Sequence, residues 1–202
     1  RKGDAFALLW EERRTAHGAP CPAKILGAVY RGAETGEEHA FHYGVFYYDE
    51  KGESLRRAFL RAPLSYRRIS SYFSRSRFHP ILRIYRPHYG IDYSAPSGTP
   101  GSAVADGTVS FAGRKGGYGN FIELHHGGTY ITGYGHLRLF AKGIRKGKKV
   151  SQGSVIGYVG MTGLATGPHL DFSIKKNSRF VNFLKLDIPP TESLKGGRLG
   201  NF

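Results

Sequence analysis

The chain has 202 residues, 40% of them hydrophobic and 13% aromatic. That composition excludes a disordered chain, and the length suffices for one sizeable core or two small ones. With 30 Lys+Arg against 15 Asp+Glu the formal net charge is +15, which points to an anionic partner or a solvated basic surface.

Residues 4–17, which include Asp4-Ala-Phe-Ala-Leu-Leu-Trp10, read equally as a strand or a short helix, because periodicity does not separate the two. Gly18 and Pro22 punctuate, and Ile25-Leu-Gly-Ala-Val-Tyr30 predicts a buried strand. A polar turn at Glu34-Thr-Gly-Glu precedes one aromatic strand, His39 to Tyr48, and Asp49-Glu-Lys-Gly52 closes a hairpin. His39 and His42 in that strand read as surface residues. Residues 53–87 read as a basic, aromatic connector, in which Ser70-Ser71 form a turn and His79, before Pro80, is held extended.

From Gly90 onward glycine punctuates short alternating runs. Examples are Gly107 to Ala112, Asn120 to His125, Tyr130 to Tyr134, Ser154 to Val159 and Leu170 to Ile174. Five-residue runs with turns at this density predict an antiparallel sheet system with few helices. The expected fold class is mainly β: a small N-terminal β-rich domain over 1–60, an antiparallel β-sheet domain over 61–190, and a tail over 191–202. No apolar run approaches the ~18 residues of a membrane span, so a soluble product is expected. The start at Arg1, without Met or a signal-like segment, reads as a processed or trimmed product. The single Cys21 excludes an internal disulfide. Nucleic acid is not the expected partner, since no helix-turn-helix, zinc-finger or RNP-type pattern is present and the basic residues are scattered.

The chemistry gathers in four short pieces: His88-Tyr-Gly-Ile-Asp92, Gly113-Arg-Lys-Gly-Gly-Tyr-Gly119, Tyr134-Gly-His136-Leu and Gly167-Pro-His169-Leu-Asp171. Neutral imidazoles and carboxylates are what divalent metal sites are built from. Hydrolysis at such a site also needs an open position for water and a nearby proton carrier. The glycine-rich piece lacks the Lys-Ser/Thr and helix of a phosphate cradle. His125 and His126, at a hairpin end, read as structural.

Together with Asp92-Tyr-Ser-Ala-Pro, Ala105-Asp-Gly-Thr-Val and the run Val150 to Leu170, these motifs resemble the lysostaphin-type zinc metallopeptidases. Ser54 to Pro63 and Arg68-Ile-Ser-Ser-Tyr-Phe-Ser74 resemble the Gram-negative murein endopeptidase branch, related to opacity-associated protein A. The resemblance implies a catalytic domain of the lysostaphin type with one Zn2+ ion. His88 and Asp92 match metal ligands, His136 and His169 match catalytic histidines, and Gly116, Gly117 and Tyr118 wall the substrate groove. The family's third ligand is a histidine; here Asp171 takes its place. Two outcomes stay open for Asp171: it completes an unusual set of one imidazole and two carboxylates, with preference shifted toward other divalent metals, or it bonds locally without metal.

The implied function is metal-dependent hydrolysis of peptidoglycan, cutting cross-linked stem peptides as an endopeptidase and also as a carboxypeptidase, in the periplasm or cell envelope. His136 or His169 would move the proton of the attacking water. The first domain is expected to regulate the enzyme, with it or the Phe73–His79 loop over the groove, or to bind the wall. Membrane-proximal anchoring through a missing N-terminal segment fits the same picture. The alternatives are a catalytically inactive wall-binding homologue that regulates another hydrolase and a cationic binder of some other anionic polymer.

Overall fold

The structure is a computed structural model that describes residues 3–56, 58–78, 83–188 and 194. The chain divides into two compact units. One takes the residues up to Ala58 and those from Ile188 onward, and the other runs from Phe59 to Asp187.

The first unit is a four-stranded antiparallel sheet in sequence order: β1 (Ala5–Arg14), β2 (Pro20–Gly32), β3 (Gly36–Tyr43) and β4 (Phe46–Tyr48). The open choice for residues 4–17 resolves as a strand. Ile25, Leu26 and Tyr30 of β2 are exposed, not buried as expected. The physical reason is that, among the described residues, this unit is a single sheet with no second layer to cover it. The run His39 to Tyr48 is a hairpin, not one strand, because Gly44 at φ +63° turns the chain between β3 and β4.

The second unit holds β5 (Arg68–Ser71), β6 (Ser74–Phe78), β7 (Tyr85–His88), β8 (Gly90–Ser94), β9 (Pro100–Ser102), β10 (Gly107–Arg114), β11 (Asn120–His126) and β12 (Tyr130–Phe140). Then come β13 (Lys149–Val150), β14 (Val155–Val159), β15 (His169–Lys176) and β16 (Arg179–Val181). Seven strands follow the order β13-β10-β11-β12-β15-β8-β5, with β14 beside β12 and β9, and β16 beside β15. Every pairing is antiparallel, as the glycine-punctuated pattern predicts.

The connector expected over 53–87 belongs largely to this unit. Ser70 and Ser71 lie in β5, which pairs with β8 and so forms part of the sheet instead of a turn. Leu60 and Ser102 tie the entering chain down, Leu60 N donating to Val104 O at 2.7 Å and Ser102 N to Pro63 O at 2.7 Å.

Period-two alternation builds the core and the site from the same strands. On β15, Leu170, Phe172 and Ile174 are fully buried, while His169, Asp171, Ser173 and Lys175 point to the other face. On β8, Ile91 and Tyr93 enter the core, which leaves Gly90 and Asp92 beside Asp171. Each fully buried Leu, Ile or Phe contributes roughly 1.5–3 kcal/mol, so the register that faces Asp92 and Asp171 to one another is held by the core beneath them.

Candidate metal centre

Three neighbouring strands set the centre. Cross-strand pairing places Gly135 of β12 beside Asp171 of β15, and Asp171 beside Asp92 of β8. His88 ends β7, one residue before β8, and its Nε2 stands 3.1 Å from Asp92 Oδ1. Ligand atoms of His88, Asp92 and Asp171 lie within 4.8 Å of one another, and all three residues are buried. The site is crowded by design of the backbone: a Cβ at Gly90 would stand 2.5 Å from Asp171 Oδ1, and one at Gly135 would stand 3.4 Å from Asp171 Cβ.

The histidines are oriented from behind. The Nδ1 positions of His88, His136 and His169 face the carbonyl oxygens of Tyr72 (3.0 Å), Thr162 (2.7 Å) and Gly167 (2.8 Å). A carbonyl only accepts, so each Nδ1 carries a proton; His88 Nε2 faces Asp92 Oδ1, whereas Nε2 of His136 and of His169 has no hydrogen-bond partner among the described residues. His169 Nε2 is 3.8 Å from Asp92 Oδ1, and the His136 and His169 rings are 4.7 Å apart.

His136 reaches this face by an irregularity. Between Asn120 and Ile122, β11 spans two residues while β12 spans three, Tyr134 to Leu137, which is a β-bulge. His136 sits in it at φ +58°. Strict alternation would send His136 to the core side with Tyr134; the bulge returns its ring to the face of Asp171.

Burial first, and then the charge of Asp92, pushes the Asp171 carboxyl up to about 6. Burial also opposes ionisation of Asp92, but the His88 bond and the nearby His169 outweigh it and hold Asp92 below the usual carboxylate range. Burial works against the charged form of His88 as well, yet Asp92 raises it above its ordinary value. The Asp171 carboxylate accepts no hydrogen bond among the described residues. Two buried carboxylates side by side, one without a donor, form a site short of positive charge. The residues therefore fit a single divalent cation held by His88, Asp92 and Asp171, and oxygen-rich ligation widens the choice beyond zinc.

Around the triad opens a cavity of about 310 Å³, with Gly117, Tyr118, His136 and Leu164 on one side and Arg86 and Tyr89 on the other. Gly117 and Tyr118 line it; Gly116 lies in the same 3-10 turn, Gly116–Tyr118, outside the lining. The turn is clamped to the segment after β14, since Leu164 N donates to Gly117 O at 2.8 Å and Asn120 N to Thr162 Oγ1 at 2.9 Å.

The other histidines lie apart. His126 is buried between Asp106 O (2.8 Å) and Thr132 Oγ1 (2.7 Å), and His39 contacts Glu37 and Glu50 in the first unit. His79 lies outside the described residues. Sequence reasoning missed Arg77, whose Nη2 stands 3.5 Å from Asp92 Oδ2 while Nη1 donates to Ser71 Oγ at 2.6 Å. It also missed Arg86, Tyr89 and Leu164. A basic residue eleven positions before His88 carries no periodic signal; only the β6–β7 pairing brings it to the ligands.

Residues 86–183 match peptidase family M23. Over the whole chain the sequence is 41% identical to the peptidoglycan DD-endopeptidase ShyA of Vibrio cholerae, of which it covers 47%. It is 47% identical over 71% of its length to the DD-carboxypeptidase/endopeptidase Mpg of Neisseria meningitidis, covering 33% of that protein. The chain thus spans less than half the length of these curated relatives. Among solved structures it resembles a zinc-containing peptidase from Vibrio cholerae, with TM-score 0.61 and 33% identity over 92% of this chain and 57% of the other. The chain belongs to peptidase family M23, related to the Gram-negative murein endopeptidases, and carries an atypical His-Asp-Asp metal site in which Asp171 stands where a histidine is expected.

Proposed function

We propose that this chain is the hydrolytic part of a metal-dependent peptidoglycan hydrolase that cuts cross-linked stem peptides, as endopeptidase and carboxypeptidase, in the periplasm or cell envelope. The observation that carries the reading is that the buried triad His88, Asp92 and Asp171 opens on a groove lined by His88, His136 and Asp171, with His169 Nε2 3.8 Å from Asp92 Oδ1. A bound divalent cation would supply Lewis acidity toward water and the scissile carbonyl.

The remaining work falls to the chain's own side chains. Burial lowers the pKa of His136, so at neutral pH its ring is an unprotonated base with Nε2 directed into the groove. His136 takes the proton of the attacking water and returns it to the leaving amine. Once protonated on Nε2 as well, His169 beside Asp92 would donate to the oxygen on which charge develops. Gly117 and Tyr118 hold the peptide in line with these groups, with Gly116 keeping the turn compact. Residues 1–60 serve as a regulatory or wall-binding domain for the catalytic part at 61–190, and a membrane-proximal anchor would keep the active groove at the wall.

The test is digestion of purified peptidoglycan sacculi with analysis of the released fragments, with and without chelator. Release of peptide-cleaved fragments that chelator abolishes supports the reading. Retention on sacculi without any release contradicts it and selects the inactive wall-binding alternative.

A further inference from the structure

The face that bears the metal ligands does not end at the metal. Asp171, Ser173 and Lys175 alternate along one face of β15, so Lys175 lies about 13 Å along the strand from Asp171 at ~3.3 Å per residue. There a second cavity of about 190 Å³ opens, walled by Lys115, Phe121, Glu123, Ser173, Lys175 and Phe180. Tyr118 lines both cavities. Tyr89 of the first also stacks on Phe180 of the second, with ring centroids 5.1 Å apart and planes at 13°. The two cavities are therefore neighbours, sharing the Tyr118 wall and joined by the Tyr89–Phe180 stack.

The second cavity carries two ammonium groups and one carboxylate. Lys115 Nζ stands 4.6 Å from the Phe121 ring centre and 3.4 Å from Glu123 Oε2. Glu123 Oε1 also accepts from Ser110 Oγ at 2.9 Å. The Glu123 charge is thus engaged by Lys115 and Ser110. Lys175 Nζ rests over Phe180 at 4.7 Å; its charge is felt by Glu123, but it forms no ion pair within 4 Å among the described residues. One positive charge is left over, set among aromatic walls where a charge pair is screened less than in open water.

We propose that this cavity is a subsite for a free carboxylate of the bound peptide, received by Lys175 with Lys115 beside it. The assignment rests on the peptidoglycan reading above, since stem peptides carry free carboxylates. The reach agrees: three to four extended residues cover roughly 10–14 Å, the span from Asp171 to Lys175. The subsite would make the chain selective for peptides whose carboxylates are free over those in which they are amidated.

Calorimetric titration of the full chain with an uncross-linked disaccharide-peptide fragment, in its free-carboxylate and amidated forms, tests this directly. The parent is expected to bind the free form about tenfold more tightly, a difference of ~1.4 kcal/mol. Lys175→Met should erase the preference, Lys115→Met should reduce it and Lys175→Arg should keep it. Unchanged binding of the amidated form by Lys175→Met shows that the fold is intact. Equal or undetectable binding of the two forms by the parent overturns the subsite, as does equal weakening of both by Lys175→Met. Sacculus digestion reads the hydrolase separately: discrimination without digestion retains the subsite and refutes the hydrolase, and digestion without discrimination does the reverse.

Discussion

Asp171 concentrates the chemistry of the site in one side chain. Its carboxyl, pushed up to about 6 by burial and by Asp92, has no donor of its own among the described residues, and glycines at 90 and 135 leave space beside it. An imidazole at this position would remove the repulsion with Asp92 while still offering a ligand atom. Asp171→His is therefore expected to tighten zinc binding by about tenfold or more, read by competition with a chromophoric chelator. Unchanged or weaker affinity would show that side chain 171 does not reach the ion. Arg77 acts through Asp92 instead of touching the ion. Its guanidinium lies 3.5 Å from Asp92 Oδ2 and its Nη1 holds Ser71, so Oδ1 is left directed at His88. Replacement of such supporting groups typically costs 10–100-fold in metal affinity. Arg77→Met should weaken metal binding by about tenfold, with Arg77→Lys between it and the parent. Equal affinities in all three proteins would remove Arg77 from the account.

The β12 bulge and the Gly116–Tyr118 turn together set where the His136 ring stands. Thr162 connects them: its carbonyl accepts a hydrogen bond from His136 Nδ1–H at 2.7 Å, and its hydroxyl accepts from Asn120 N and donates to Leu137 O at 2.8 Å. Gly119 must lie against this residue. It has φ +65°, and a Cβ there would stand 2.4 Å from the Thr162 carbonyl carbon. Gly119→Ala is expected to cost about 2–3 kcal/mol in urea unfolding, from the left-handed backbone and the clash together. It should lower hydrolysis further by moving the His136 anchor; a variant with parental stability and activity would refute that coupling. Much of this was hidden in the sequence for a physical reason. The short runs around His88, Asp92 and His169-Leu-Asp171 show the alternation that puts ligands on one face and Ile91, Leu170 and Phe172 in the core. A bulge has no such pattern, because it arises from the register between β11 and β12. Arg77 was equally hidden, lying in a stretch that reads as a connector; the pairing of β6 with β7 is what brings it to Asp92.

Across the whole molecule the net charge of +15 is spread over both halves of the sequence, from Arg13-Arg14 to the run Lys142 to Lys149. A surface of that kind draws an anionic polymer from a distance that salt shortens to about 10 Å at 0.1 M. Retention on purified sacculi should fall steadily as salt is raised, followed by sedimentation of the bound protein. Retention that stays constant would leave groove contacts alone to account for binding. The mainly β, antiparallel architecture was legible because glycine spacing and alternation are local properties. The exposure of β2 was not, since burial depends on what a second layer covers.

In the proposed hydrolase, His88, Asp92 and Asp171 together hold the ion on which hydrolysis depends. Elemental analysis of the purified chain and of its Asp92→Ala variant, each loaded with zinc and desalted, measures it most directly. One divalent ion per parent chain and almost none in Asp92→Ala is the expected result. A parent chain that retains no metal, or an Asp92→Ala chain that retains as much as the parent, would contradict it.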